Sequence, residues 1–263
     1  PDGKRVAVSL TERNNRDIWI YDVARSLRTR FTFDPANEET MNWSPDGSRI
    51  IFNSNRKGLL NLYQKASDGS GTEELLYEDA LVNKYPMNWS ADGKFMLYAT
   101  GTASPRTGAD VLVLPLSGDR KPVPFIQAQF QEFYGQFSPD GRWVAYRSNE
   151  SGTNEIYVAP YPGPGGKRQI SIAGGNAPRW RRDGTEIFYL APDNKLMAAA
   201  VNGKGASLEV GEVKPLFEVR ATVSTYPYDV SADGQRFLVS TNTEQAAAAP
   251  ITVVVNWMAG LKK

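Results

Sequence analysis

The chain contains no cysteine and no histidine. Without cysteine there are no disulfides, no thiolate metal ligands and no thiol nucleophile. Without histidine the commonest general base, the usual imidazole metal ligand and the Ser-His-Asp triad are gone. No Gly-x-Ser-x-Gly elbow occurs either, so no serine is set up as a nucleophile. Any chemistry must come from carboxylates, Lys, Tyr, Arg or a bound metal, and the composition leans away from an enzyme. Charge of one sign is also lacking: 30 Lys+Arg stand against 29 Asp+Glu, a net charge of +1. That removes the field that would draw nucleic acid, and the densest basic cluster is only Arg179-Trp180-Arg181-Arg182. Long apolar runs are missing too. The best candidate, Ile251 to Leu261, is broken by Asn256 and is too short to span a bilayer, so no direct membrane insertion is expected. The chain opens on the turn signal Pro1-Asp2-Gly3 with no apolar leader, which reads as part of a longer protein.

What the sequence has in abundance is a repeat. Asp-Gly recurs at Asp2, Asp46, Asp92, Asp140, Asp183 and Asp233, with spacings of 44, 46, 48, 43 and 50. An aromatic or apolar residue and a Ser-Pro-like pair precede most copies, as in Trp43-Ser44-Pro45-Asp46-Gly47 and Phe137-Ser138-Pro139-Asp140-Gly141. Ser and Pro suit the first positions of a type I turn, and Gly takes the positive φ that ends it. Strand-like runs follow each turn, such as Arg49-Ile50-Ile51-Phe52 and Trp143-Val144-Ala145-Tyr146. A third strand comes next (Asp17–Tyr21, Asn61–Tyr63, Asp110–Leu114, Glu155–Val158, Ile251–Val255), then a weaker fourth (Glu74–Tyr77, Arg168–Ile172). Four short strands per repeat, with no stretch that reads as a helix, predict an all-β six-bladed propeller of four-stranded antiparallel blades. Residues 1–263 read as one such domain. Blade one lacks its inner strand and blade six its outer one, so the closing blade is incomplete.

The Trp-Ser-Pro-Asp-Gly unit, followed by a strand and then an Asp/Glu-Ile-Tyr strand, resembles the PD40 (WD40-like) repeat of the TolB-like β-propellers. Adjacent Asp and Gly distinguish it from the sialidase Asp-box, and the missing His from true WD40 repeats. The resemblance implies a periplasmic or extracytoplasmic, monomeric binding module with a protein or peptide partner. The tail from Ile251 to Lys263 resembles the last segment of TolB-like propellers fused behind bacterial Ser/Thr kinases, which implies a sensor role. The same repeat builds the propellers of prolyl-oligopeptidase-type enzymes, which implies an accessory role beside a hydrolase domain absent from this chain.

Specificity in such a repeat belongs to positions where the blades differ. Just before the core aromatic lie Asn42, Asn88, Gln136, Arg179 and Asp229, polar in every copy and expected to line a channel or bind a ligand. Nearer the rim opposite the Asp-Gly turns come Glu39, Tyr85, Phe133, Asn176 and Tyr226, joined by Tyr134 and Tyr228. Aromatics gathered at a rim are what protein-binding hot spots favour, although rings also fill space between blades. The segments Asn53–Gly58 and Arg147–Asn154 read as polar loops on that rim, chiefly tying strands together, and Thr243–Pro250 as a flexible one. No cofactor is expected. The alternative is a lactonase-like hydrolase with a channel cation such as Ca²⁺, whose oxygens would come from Glu39, Asn42, Asn88, Asn176 and Asp229.

Overall fold

The Asp-Gly turns reverse the chain through one recurring set of hydrogen bonds. In the computed structural model, which describes residues 2–101, 108–163, 165–221, 226–241 and 251–254, the Ser44 hydroxyl donates to Asp46 Oδ1 at 2.5 Å and accepts the Arg49 N–H at 2.9 Å. The Gly47 N–H donates to the Ser44 carbonyl at 2.9 Å. Ser90 with Asp92 and Ser138 with Asp140 repeat the pattern. Gly3, Gly47, Gly93, Gly141, Gly184 and Gly234 all take φ between 68° and 75°, a region that a Cβ disfavours. Asp46 has its carboxyl held down at about 2, first by the Ser44 hydroxyl and then by the Ser48 N–H and hydroxyl. The repeated aspartates are therefore occupied by their own turns.

Among the described residues the strands form six antiparallel sheets in two compact units, Pro1–Glu132 and Phe133–Lys263. In the first unit, one sheet holds β1 (Arg5–Glu12), β2 (Asn15–Asp22) and β3 (Leu27–Arg30). The next holds β4 (Glu38–Trp43), β5 (Arg49–Lys57), β6 (Leu59–Ala66) and β7 (Glu74–Tyr77), and the third β8 (Lys84–Trp89), β9 (Phe95–Thr100), β10 (Val111–Pro115) and β11 (Val123–Ile126). The second unit opens with β12 (Phe133–Phe137), β13 (Trp143–Ser148), β14 (Glu155–Pro160) and β15 (Arg168–Gln169). It continues with β16 (Asn176–Trp180), β17 (Glu186–Leu190), β18 (Lys195–Asn202) and β19 (Glu209–Glu218), then β20 (Tyr228–Val230), β21 (Phe237–Ser240) and β22 (Ile251–Val254). Strands pair in chain order within every sheet, and the first and last sheets show three strands among the described residues. No helix among those residues is long and apolar enough to cross a membrane.

Three expectations need correction, and one hairpin is unforeseen; Arg147–Asn154 is a loop only beyond Ser148, where β13 ends. Asn53–Gly58 is no loop: β5 runs on to Lys57, and the hairpin to β6 closes with Lys57 opposite Leu59 around Gly58, whose φ is 95°. The fourth strand expected over Arg168–Ile172 is only Arg168–Gln169, and Ile172 is exposed. The sequence reading also missed the hairpin of β18 with β19, whose outer strand is mostly exposed and carries little apolar alternation.

Burial follows the pleat. In the first unit Ile18, Phe31, Ile50, Phe52 and Tyr63 form one cluster, with the Phe52 and Tyr63 rings stacked at 6.1 Å. In the second, Trp143, Ile156, Val158, Trp180, Ile187 and Tyr189 pack together. Each cluster draws on neighbouring sheets, so the sheets lie face to face with their apolar sides shared.

Candidate functional site

Alternation fixes which end of a sheet can vary. The first-to-second connection is the Asp-Gly turn. The second-to-third connection, and the passage from the fourth strand to the next sheet, lie at the other end, here called the far end. The first strand enters from that end and is interrupted there: its pairing slips between Glu38 and Met41, Pro86 and Asn88, Phe133 and Gln136, and Asn176 and Arg179. Such bulges free ladder groups and re-aim side chains.

In the second sheet Asn53 satisfies the freed groups. Its Oδ1 accepts the Glu39 and Thr40 N–H groups at 3.2 and 2.9 Å, and its Nδ2 donates to the Lys84 carbonyl at 3.0 Å. One buried amide thus seals the bulge and ties the sheet to the next. Beside it, the fully buried Glu38 carboxylate accepts from Ser54 at 2.7 Å and from Arg56 at 3.2 Å. Burial pushes that carboxyl up to about 7, against the pull of Ser54, Thr32 and Arg56. Arg56 also reaches Glu73 at 2.6 Å and Asp34 at 3.6 Å. The structural role expected for this segment fits its contacts, though it is a strand rather than a loop.

The sequence-derived residues fall into separate groups. In the first unit Asn42 donates to the Pro86 carbonyl at 3.0 Å, and half-buried Asn88 pairs in register with Leu97. Glu39 faces Arg16 at 3.8 Å, while burial, with Glu39 nearby, raises the Tyr85 hydroxyl. In the second unit Gln136 is buried, and its carbonyl accepts the Trp180 indole N–H at 3.1 Å. Arg179, also buried, donates to the Pro178 carbonyl at 3.1 Å and lies 3.6 Å from the exposed Asp229 carboxylate. Its guanidinium stands 5.2 Å from the Tyr226 ring and 6.0 Å from the Tyr228 ring. These four residues form the most coherent polar cluster that the sequence marked. Asn176 accepts from Arg147 at 3.2 Å, and the Arg147 guanidinium lies over Tyr134 and Phe133. Tyr134 and Tyr228 are core residues rather than rim ones, 8% and 2% exposed, and the Tyr228 hydroxyl donates to the Ala177 carbonyl at 2.8 Å. Thr243–Pro250 lies outside the described residues. Among the described residues no group of three or more acidic side chains is arranged to hold a metal ion.

One set of residues was not marked. Each described passage from a last strand to the next sheet carries a large apolar side chain in solvent: Phe33 63% exposed, Leu81 78%, Phe130 37% and Ile172 90%. Leu27, Val123, Val210 and Val213 are exposed as well, but on the outermost strands. A scattered exposed apolar residue needs no explanation, whereas recurrence at one connection does. The sequence signal is weak: these residues fall in linkers without a period, and Ile172 reads as the end of the expected strand Arg168–Ile172.

Known proteins resemble this chain in the same terms. Residues 1–118 match the PD40 family, described as a TolB β-propeller domain. A Tol-Pal system protein TolB of Wolinella succinogenes is 24% identical over 177 residues, covering 64% of this chain and 41% of that protein, so the chain spans less than half of its relative. The crystal structure of TolB from Acinetobacter baumannii superimposes with a TM-score of 0.71 at 20% identity, over 92% of this chain and 59% of that one. An oligogalacturonate lyase in complex with manganese gives 0.66 at 14% identity, over 98% and 73%. Those identities carry the fold alone, and proteins of different activity share it. Repeat, sheets and relatives agree on the fold, a TolB-like β-propeller, with the PD40 match lying in residues 1–118.

Proposed function

We propose that this chain is a non-catalytic binding propeller that takes a protein or peptide partner at the far ends of its sheets. The observation that carries the reading is the run of exposed apolar side chains, Phe33, Leu81, Phe130 and Ile172, in four successive passages between sheets. Apolar anchors set among polar neighbours are what a partner surface desolvates on binding. Toward the same end of their strands stand Glu39 and Asn176, while Asn42, Asn88, Arg179 and Asp229 lie further along the first strands; all differ from blade to blade and supply orientation rather than bulk affinity. The cluster of Arg179, Tyr226, Tyr228 and Asp229 is the second element, a cation set on aromatic rings with a solvated counter-charge. Resemblance to TolB supports an extracytoplasmic setting.

Random heptapeptides displayed on phage and selected on the folded chain supply probes without a known partner. Synthetic copies of a selected peptide are expected to bind roughly ten-fold or more weakly to Leu81→Ser where it docks on the first unit, or to Ile172→Ser where it docks on the second, as loss of a buried anchor requires. Ser44→Ala, at the Asp-Gly end, is expected to leave affinity unchanged. Peptides that ignore both far-end substitutions would overturn the reading.

A further inference from the structure

The second unit holds a cleft of about 680 Å³ at the far ends of its sheets, with Arg147 in its lining. Arg147 is half-buried, and its surroundings are unusual for a guanidinium. One face lies 5.0 Å from the Tyr134 ring centroid, with the Phe133 ring at 5.9 Å. One nitrogen donates to Asn176 Oδ1 at 3.2 Å. The Nε is buried without an acceptor among the described residues. No carboxylate lies within ion-pair reach there, whereas Arg30, Arg56 and Arg179 each face one. The one acidic residue in the lining, Glu155, is committed to the Ser171 hydroxyl and to the Gly174 N–H at 2.9 Å.

Two alternatives would explain such a cation. It could serve the fold, as Asn53 does at the corresponding place in β5, the fourth residue of the Ile50-Ile51-Phe52-Asn53-Ser54 run that matches Val144-Ala145-Tyr146-Arg147-Ser148. Arginine is donor-only, however, and cannot accept the N–H groups that a bulge frees. The bulge beside it is instead accommodated by Tyr134 at φ 59°, a left-handed conformation that a tyrosine rarely takes. Arg147 thus does not perform the Asn53 task. A cation taken out of water without a counter-charge destabilises its site unless something else supplies the charge.

We propose that this cleft is a binding site for a carboxylate carried on an apolar group, with Arg147 as the anion receptor and Asn176 and Tyr134 holding its plane. The walls match the apolar part of such a ligand: Ile172, Leu190, Pro192 and Val219 line the same cleft as the guanidinium. Planar guanidinium and carboxylate pair through two parallel hydrogen bonds, and a cation pre-set on an aromatic ring loses little freedom on binding. The free C-terminus of a peptide ending in an apolar residue and a small aryl or alkyl acid share this chemistry. The site goes beyond the partner reading, because a small acid can occupy it whether or not a protein docks.

Titration calorimetry with N-acetyl-phenylalanine and its primary amide tests the site directly. The acid is expected to bind, and the amide at least roughly ten-fold more weakly, as loss of a charge-assisted pair requires. A short peptide ending in a free phenylalanine carboxylate separates the sources: tighter binding than the small acid assigns the cleft to chain termini, and equal or weaker binding to free acids. Arg147→Met is expected to abolish the preference for acid over amide while leaving the thermal midpoint unchanged or higher. Arg147→Lys should keep the charge and lose most of the affinity. Equal binding of acid and amide, no binding of either, or undiminished acid binding by folded Arg147→Met would overturn the proposal.

Discussion

At the Asp-Gly end of the sheets, hydroxyl, carboxylate and glycine meet at nearly the same distances in sheet after sheet. At the far end, the residue five places before the core aromatic is Glu38 in one sheet and Lys84 in the next, then Glu132 and Gly175. The three charged ones are fully buried. Glu38 is held by Ser54 and Arg56, and Lys84 by Asn61 at 2.8 Å and the Asp79 carbonyl. One end repeats a solution, and the other solves a new problem in every sheet. Regularity therefore marks what the fold needs, and irregularity marks where partners can be told apart. The same contrast appears within the far end between Asn53, which saturates its bulge, and Arg147, which leaves its own charge unmatched.

The comparison breaks most visibly at Asn53. Asn53→Ala strands two buried N–H groups and a carbonyl, and a loss of about 3–5 kcal/mol is expected in denaturant unfolding, from unsatisfied groups at about 1–3 kcal/mol each. Arg147→Met at the matching position is expected to cost no stability. A similar loss in both variants would erase the distinction between tie and receptor.

A smaller effect separates the two ends by pH. The Glu38 carboxyl is raised by burial from 4.5 to about 7. Between those values the folded chain holds a proton that the unfolded chain has released, so this group lowers stability as pH rises through that window. Thermal midpoints of Glu38→Gln measured from pH 4.5 to 7.5 are expected to lose that part of the slope. Asp46, whose carboxyl is lowered to about 2, contributes oppositely, with stability lost only as pH falls below the ordinary carboxylate range.

Smallest is the turn itself. Ser44→Ala removes the hydroxyl that accepts the Arg49 N–H, and about 1 kcal/mol of stability is expected to go with it, with peptide affinity untouched. A change in affinity here would place recognition at the wrong end.

Much of the fold was legible because turns and cores obey local rules. Gly at positive φ, Asp beside Ser, and alternating strands such as Glu155-Ile156-Tyr157-Val158 announce themselves without tertiary context. The site was less legible. Tyr134 sits beside Phe133 and Tyr228 near Tyr226, and the sequence alone does not tell which ring turns inward; beside Tyr134 the pairing slips between Phe133 and Gln136. The continuation of β5 through Asn53-Ser54-Asn55-Arg56 was hidden because its polar side chains satisfy a bulge and an ion network instead of facing water. In sequence Arg147 reads as part of a linking loop, since nothing in its neighbours reveals that no carboxylate among the described residues pairs with it. Leu81 is invisible for a different reason, since an apolar residue in a linker carries no period, and Ile172 is masked by its alternation with Ile170, which imitates a strand.

Hydrogen exchange on the chain with and without a saturating selected peptide tests the central contrast most directly. Protection is expected within residues 33–37, 79–83 and 127–132 for a peptide that docks on the first unit, or within 170–175 for one that docks on the second, with no change in the turns at 44–48, 90–94, 138–142 and 181–185. Protection confined to those turns would contradict the assignment of recognition to the far ends of the sheets.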